Sequence, residues 1–194
     1  ERVAKMLGIA KEGTDRIVNV THTLLGFARA DAGSTPVRVA VDSIVEEAVG
    51  LVLLKAQANA VAIEVDLAPE LPEIRVDPQA IMEVLVNLLL NAVDACQENC
   101  TIKVQTRQAD ASRVEILVSD DGAGVPAEIA ERIFEPFFTT KEVGRGTGLG
   151  LSVARRIVEA HQGEIDLSQN QGGGSTFRVR FPGQTGTRGS EQSE

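Results

Sequence analysis

The chain of 194 residues is long enough for one well-packed domain and an appendage. Its apolar fraction of 43% is typical of a globular protein, whereas a net charge of −9 and only 3% aromatic residues argue against a nucleic-acid-binding surface. No apolar run reaches the length of a membrane span and there is no signal peptide, so we expect a cytoplasmic location. Because the sequence enters a helical pattern at Glu1, we expect it to be part of a longer protein, with any membrane anchor upstream.

The first 31 residues carry a heptad pattern that predicts one long helix. Its core positions are Val3, Ala10, Ile17 and Leu24, together with Leu7, Thr14, Thr21 and Ala28. One helix cannot bury so wide an apolar stripe, so we expect a homodimer formed through residues 1–31. Gly33 and Pro36 end the helix. We therefore divide the chain into a helical segment, 1–33, a globular domain, 34–182, and a disordered polar tail, 183–194.

The globular domain alternates short strands with three helices. Strands are predicted over 37–41, 61–67, 74–76, 101–107, 113–119, 164–168 and 175–181, and helices over 43–59, 78–96 and 149–161. Asp42 or Ser43 is expected to cap the first helix, and Asp77 followed by Pro78 the second. This pattern predicts an α+β fold, a two-layer sandwich in which one mixed sheet carries helices on one face.

The second helix of the domain is apolar on nearly all sides, which is typical of a buried helix. Nevertheless Glu83, Asn87, Asn91 and Asp94 follow one another at helical spacing and form one polar seam. Burying amides and a carboxylate without partners is costly. We therefore expect a polar ligand to face this seam.

The two cysteines, Cys96 and Cys100, follow the predicted end of that helix. A single C-x-x-x-C pair without a neighbouring histidine is a weak metal motif. In a cytosolic protein such a pair is typically reduced, so we expect two free thiols.

Residues 120–148 form a glycine-rich segment of nearly thirty residues, a length typical of a functional lid. It opens with Asp120-Asp121-Gly122-Ala123-Gly124 directly after a strand. A carboxylate at a strand end can accept a hydrogen bond from an exocyclic amine, and glycines let a base approach the backbone. An ordinary turn explains the same five residues equally well.

The segment from Gly144 to Gly150 contains four glycines and opens an amphipathic helix. Glycines there can expose successive N–H groups to an anion at a helix N-terminus. The alternative is a flexible hinge, which is less favoured because a strong helix begins immediately afterwards. The spacing matches neither G-x-x-x-x-G-K-[ST] nor G-x-G-x-x-G, and the H-R-D and D-F-G motifs are absent.

Three of the six phenylalanines lie between Phe134 and Phe138. One interpretation is a small satellite core that fixes the long loop. The other is a docking surface on a mobile lid, with Lys141 and Arg145 near bound phosphates.

Together these segments resemble the N, G1, F and G2 boxes of sensor histidine kinases, in the same order. The matching stretches are Asn87 to Ala95, Asp120 to Gly124, Phe134 to Phe138 and Gly146 to Gly150, and Gly174-Ser175-Thr176 resembles the last glycine motif. The resemblance covers residues 36–182 and implies a Bergerat-type ATP-binding domain. Residues 1–31 resemble the second helix of the dimerisation and phosphoacceptor hairpin.

The resemblance implies a role for each motif. Asn91, with Asn87, would hold Mg²⁺ through side-chain oxygen, and Asp120 would accept from the adenine amino group. Gly122 and Gly124 would let the adenine approach the backbone. The remaining implied nucleotide contacts are Lys141, Arg145, Gly146, Thr147, Gly148, Leu149, Gly150 and Thr176. Asp94 is ambiguous, since it could orient Asn91, face a water near the metal or be structural.

The implied activity is that of a protein-histidine kinase in a two-component system, using ATP and Mg²⁺ and relaying phosphate to a response-regulator aspartate. Catalysis would consist mostly of positioning and charge neutralisation. His161 ends a helix, and His22 is followed by Thr23, where the family typically has an acidic residue. We therefore expect the acceptor histidine upstream, and a chain that binds ATP without phosphorylating itself.

Three alternatives stay open. Gyrase-, mismatch-repair- or chaperone-type ATPases on the same scaffold carry a glutamate where this chain has Asn87, and an amide cannot activate water as a base. A non-catalytic nucleotide-sensing module would be supported by a degenerate ATP motif, and we find none. A serine kinase of the anti-sigma type is less favoured because of the long heptad helix.

Overall fold

The computed structural model describes residues 35–96, 100–141 and 146–184, together with Met6 and Gly13. Apart from these two residues, the heptad helix and its dimer contact lie outside the described residues, as do His22, Arg145 and the tail from residue 185. The predicted helical segment, 1–33, therefore stays a prediction.

The described part of the chain contains seven strands and three α-helices. They are β1 (Val37–Val39), α1 (Val41–Ala58), β2 (Ala62–Leu67), β3 (Ile74–Val76), α2 (Pro78–Ala95), β4 (Thr101–Asp110), β5 (Arg113–Asp120), α3 (Gly150–Ala160), β6 (Glu164–Gln169) and β7 (Ser175–Pro182). Two 3₁₀ turns, Ala127–Ile129 and Arg132–Phe134, lie between β5 and α3.

Five strands form one mixed sheet in the order β2-β4-β5-β7-β6. The β2–β4 pair is parallel and the other three pairs are antiparallel. This is the predicted mixed sheet, and β1 and β3 add a separate antiparallel pair in which Val37 lies opposite Val76. Each of these two strands is three residues long and runs almost directly into a helix, so neither extends along the large sheet.

The three helices cover one face of the large sheet, which confirms the predicted α+β sandwich. Side chains of β5 alternate, so Val114, Ile116 and Val118 are fully buried towards the helices. Helix α2 lies at the centre of this layer, packed against both α1 and α3. Its buried apolar side chains are Ile81, Met82, Val84, Leu85, Leu88, Leu89, Ala92 and Val93. The polar seam of α2 is therefore flanked by core residues but is itself only partly buried, and it ends at the exposed Asp94.

The helix starts agree only in part with the predicted caps. Asp77 caps α2, since its Oδ1 accepts from the Gln79 N–H at 3.0 Å. The cap expected for α1 is wrong, because the N-cap is Ala40 and no side chain caps it. Ser43 instead donates its hydroxyl to the Ala40 carbonyl at 2.8 Å. Val41, predicted at the end of the first strand, is instead a buried residue in the first turn of α1.

The expectation of free thiols is also wrong, because a disulfide joins Cys96 to Cys100. Cys96 is the C-cap of α2 and has extended backbone angles, so the chain leaves the helix there. Its Cα then lies 5.6 Å from that of Cys100, a separation that a disulfide spans readily. The Asp121 carboxylate lies within reach of both sulfurs, but their covalent bond to each other removes them as metal ligands.

The folded domain extends slightly past the predicted boundary at residue 182. The N–H of Gly183 donates to Ser112 at 2.7 Å, and that of Gln184 to Glu73 at 2.7 Å. Within the described ranges, no helix combines the length and the apolar character needed to cross a bilayer.

Candidate nucleotide-binding site

The polar seam of α2 faces the start of α3. Asn87 and Asn91 are half-buried, and a Cβ added to Gly150 would lie 3.3 Å from the Asn87 Oδ1. Glycine at this position therefore lets the first turn of α3 lie directly against the amide. Among the described residues no side chain caps α3, although the N–H of its N-cap residue Leu149 donates to Thr147. The N–H groups that follow Leu149 in the first turn are therefore available to an anion.

Two lysines from other elements contact Asp94, at the exposed end of the seam. Lys141, from the long loop, places its Nζ 2.6 Å from Asp94 Oδ2 and 3.4 Å from Asn91 Oδ1. Lys55, from α1, places its Nζ 2.8 Å from Asp94 Oδ1. Partial burial alone would raise the pKa of Asp94, but hydrogen bonds and charge from Lys141 and Lys55 outweigh it and hold this pKa below its ordinary value. Asp94 is therefore ionised, and it organises the two lysines.

Asp120 lies at the end of β5, on the helix face of the sheet, and only 4% of it is exposed. Its Oδ1 accepts from the N–H groups of Gly122 at 3.0 Å and Ser175 at 3.3 Å, and Asn170 donates to its main-chain carbonyl at 2.7 Å. Burial raises the pKa of Asp120 above its ordinary value, and the two N–H groups only partly offset this effect. A fixed, buried carboxylate of this kind is suited to accept from an exocyclic amine.

The glycines after Asp120 permit close packing of backbone on backbone. A Cβ on Gly122 would lie 2.5 Å from the Ala95 carbonyl oxygen, at the end of α2. Gly124 and Gly174 have φ values of +72° and +82°, a region that favours glycine. A Cβ on Gly174 would lie 2.0 Å from the Asp120 carbonyl oxygen. These glycines therefore set the distance between the Asp120 loop, α2 and the start of β7.

Thr176, predicted as a nucleotide contact, does not lie beside the Asp120 side chain. Its hydroxyl lies on the face of the sheet opposite the Asp120 side chain, 2.8 Å from Ser119 Oγ, and donates to Asn170 Oδ1 at 2.6 Å. The reason is strand alternation: Thr176 is paired with Ser119, the neighbour of Asp120.

Ser175 takes the position expected for Thr176. It is 2% exposed on the Asp120 face, and its buried Oγ has no hydrogen-bond partner among the residues that the structure describes. Counting alternate residues back from Phe177, Val179 and Phe181, an apolar series that indicates the buried face, would have selected Ser175 from the sequence.

The long loop packs its glycines against its own phenylalanine segment. Gly148, with φ +66°, accepts from the Phe137 N–H at 2.8 Å, and a Cβ on it would lie 2.4 Å from the Phe137 carbonyl carbon. A Cβ on Gly146 would lie 2.5 Å from Thr139 Oγ1. Thr147 accepts from the Leu149 N–H at 3.3 Å, and Leu149 is buried. Gly146, Gly148, Thr147 and Leu149 thus shape the loop that leads into α3.

Of the three phenylalanines in the long loop, two fit the satellite-core interpretation and one fits the docking-surface interpretation. Phe134 packs edge-on against Phe177 with ring centroids 6.4 Å apart, and the Arg132 guanidinium lies 4.6 Å from the centre of the Phe138 ring. Phe137 is 75% exposed at a positive φ of 68°. Phe134 and Phe138 therefore fix the loop, while Phe137 is available to a partner.

The residues present fit a magnesium nucleotide. The amide oxygens of Asn87 and Asn91 are ligands of the type that Mg²⁺ accepts, and a lysine ammonium already lies beside Asn91, which marks that position as favourable for positive charge. The unpartnered hydroxyl of Ser175, beside the Asp120 carboxylate, fits the polar edge of an adenine. Arg145 lies outside the described residues.

Comparison with known proteins agrees with this geometry. The family model described as histidine kinase-, DNA gyrase B-, and HSP90-like ATPase matches residues 76–185. AtoS, a signal transduction histidine-protein kinase of Escherichia coli K12, is 36% identical over 91% of this chain and 28% of its own length. The chain thus spans less than a third of AtoS.

Solved structures show the same fold. The catalytic domain of histidine kinase ThkA superimposes with a TM-score of 0.70 at 30% identity, covering 77% of this chain and 97% of that domain. Full-length ShkA in complex with AMPPNP gives 0.77 at 27% identity over 90% of this chain and 37% of ShkA. ThkA in complex with the response regulator protein TrrA gives 0.71 at 25% identity over 88% of this chain and 49% of ThkA.

The matched segment begins at the last residue of β3 and includes the whole of α2, the Asp120 loop, the long loop and α3. The chain therefore belongs to the family of histidine kinase-, DNA gyrase B- and HSP90-like ATPases, as a catalytic domain of the sensor histidine kinase type.

Proposed function

We propose that this chain is the ATP-binding catalytic part of a two-component sensor histidine kinase. In this role it positions ATP so that the γ-phosphoryl group passes to a histidine of a dimerisation hairpin, and from there to an aspartate of a response regulator. The observation that carries the proposal is the meeting of the Asn87 and Asn91 amides with the uncapped start of α3 and with Lys141. Two amide oxygens, the N–H groups of a helix start and a lysine ammonium therefore lie side by side.

Each group has a separate task. Asn91 and Asn87 would hold Mg²⁺, which neutralises phosphate charge when it is bound. Asp120 would accept from the adenine amino group, and the Ser175 hydroxyl would complete the polar contacts of the base. The N–H groups at the start of α3 would bind phosphate oxygens. Catalysis would then be positioning and electrostatic stabilisation rather than acid–base chemistry.

The amide at Asn87 favours transfer over hydrolysis. A hydrolase needs a base beside the nucleophilic water, and an amide cannot accept the proton. Of the two carboxylates on the seam, Asp94 is paired with two lysines. We therefore expect slow phosphate release by this chain alone, which separates the proposal from a hydrolysing ATPase on the same scaffold.

The acceptor histidine and the partners follow from the proposed role. The His161 ring nitrogen Nδ1 lies 2.7 Å from the Ile157 carbonyl oxygen at the end of α3, so this ring is held by its own helix. We place the acceptor on a hairpin helix upstream, with a homodimer formed through residues 1–31. That ThkA has been solved with the response regulator TrrA supports a receiver domain as the second partner.

Titration calorimetry of the chain with Mg-ATP tests the proposal. We expect binding by the wild-type chain, little steady-state phosphate release, and acid-labile labelling of a histidine once an acceptor hairpin is added. Binding without labelling would leave a nucleotide-sensing module as the better description. Rapid phosphate release without an acceptor would favour a hydrolase.

A further inference from the structure

Asp94 joins two lysines that come from different parts of the fold. Lys141 arrives from the long loop and uses Oδ2, whereas Lys55 arrives from the last turn of α1 and uses Oδ1. The side chains are similarly exposed, at 34% for Asp94, 44% for Lys55 and 36% for Lys141. Of these three residues, sequence reasoning singled out Asp94 and Lys141 but gave Lys55 no role.

The charges of Asp94, Lys141 and Lys55 indicate what Lys55 contributes to this cluster. Asp94 and Lys141 alone would form a neutral pair beside Asn91. If Lys141 moves to bind phosphate, that pair separates and leaves a bare carboxylate close to a highly charged anion. Like charges at such short range are unfavourable even at a partly solvated position. Lys55 prevents this outcome because it remains on the other carboxylate oxygen.

We propose that Lys55 is a positioning residue of the phosphate site: it keeps Asp94 neutralised and in place, so that Lys141 is free to bind the triphosphate. Lys55 acts through Asp94 and does not itself contact the nucleotide. The pairing also ties the end of α1 to the end of α2, next to Asn91. Its effect therefore depends on how much phosphate charge the ligand carries, which an ordinary surface ion pair would not show.

The inference rests on the proposed nucleotide site and is tested by calorimetry on the full 194-residue chain with Mg-ATP, Mg-ADP and adenosine. Lys55→Met removes the charge but retains the apolar stem of the side chain. Lys103→Met is the matched control, since Lys103 lies on β4, is 45% exposed and has its Nζ 3.9 Å from the Asp66 carboxylate. Lys55→Arg restores the charge.

We expect Lys55→Met to weaken Mg-ATP binding roughly three- to tenfold, Mg-ADP binding less, and adenosine binding not at all. Lys103→Met should match the wild type, and Lys55→Arg should recover most of the affinity. In an Asp94→Asn background, where no carboxylate charge needs neutralising, Lys55→Met should have no further effect.

Three results would overturn the inference while leaving the nucleotide site standing. One is unchanged ATP affinity in Lys55→Met. Another is an equal loss for ATP and adenosine, which indicates a structural role. The third is an undiminished loss in the Asp94→Asn background, which indicates direct contact with phosphate. If the wild-type chain binds none of the three ligands, the proposed function and this inference fail together.

Discussion

Replacing Asp120 with asparagine should weaken nucleotide binding without a comparable loss of protein stability. Asparagine has the same shape, and its Oδ1 can accept from the N–H groups of Gly122 and Ser175 as the carboxylate does. Its other terminal atom, however, is an NH₂ donor, which cannot accept from the adenine amino group. The substitution therefore tests the adenine contact without opening a cavity.

The affinity loss can be estimated from the hydrogen bond that disappears. A hydrogen bond to a charged group contributes about 1.5–3 kcal/mol, so Asp120→Asn should weaken ATP and adenosine binding by roughly 10- to 150-fold. Stability should not fall by more than about 0.5 kcal/mol, because the substitution removes a charge whose burial is unfavourable.

The direction in which pH changes the stability contribution of Asp120 follows from its pKa. The folded-state pKa of Asp120 is raised, so between the ordinary value and this raised value the folded chain binds more protons than the unfolded chain. The contribution of Asp120 to stability therefore falls as pH rises through this window and stays unfavourable above it. Asp120→Asn lacks this contribution, so its stability relative to the wild type should be greatest above the window and decline on acidification.

Calorimetric titration gives the affinities, and urea unfolding at several pH values gives the stabilities. Wild-type affinity for adenosine in Asp120→Asn would refute the assignment of the adenine contact. A variant that is both unfolded and unable to bind would show that Asp120 is a structural residue held by Gly122 and Ser175.

Two further predictions concern the segment that joins α2 to the Asp120 loop. Gly122→Ala should lower the free energy of unfolding in urea by about 1–3 kcal/mol, because its Cβ would lie 2.5 Å from the Ala95 carbonyl oxygen. The control Gly50→Ala, where nothing lies within 4 Å of the added Cβ, should instead raise it by about 0.5–1 kcal/mol. Equal effects of the two substitutions would count against the packing described. The Cys96–Cys100 disulfide should block alkylation of both cysteines by iodoacetamide until reductant is added. Loss of the disulfide in a Cys96→Ser/Cys100→Ser variant should lower the free energy of unfolding by about 2 kcal/mol. Rapid alkylation of the native, unreduced chain would contradict the bond.

The sequence predicted the main features of the fold because hydrophobic periodicity and cap residues act locally. The buried stripes of α2, the Asp77 cap and the alternation of the central strands all follow from neighbouring residues. Pairing between distant strands was not predictable in this way. Three-residue strands carry too little pattern to show that β1 pairs with β3 rather than with the large sheet.

The site residues Asn87, Asn91 and Asp120 were selected because each side chain has one clear chemistry, and their roles stay predictions. A motif match does not fix which face of a strand a side chain takes, whereas the strand register does, so the motif could not show that Thr176 faces away from Asp120. Lys55 gave no signal, since a lysine near a helix end is ordinary, and its role depends on the packing of α1 against α2. The disulfide was not predicted, because it requires the chain to leave α2 at Cys96 in an extended conformation, which the cysteine spacing does not show.

The magnesium dependence of ATP binding tests the central claim most directly, by comparing the wild-type chain with Asn91→Ala. If the amide seam of α2 holds the metal that carries the triphosphate, Mg²⁺ should strengthen ATP binding to the wild type at least several-fold, and Asn91→Ala should lose most of this gain while binding adenosine normally. An identical gain from Mg²⁺ in both proteins would contradict the account.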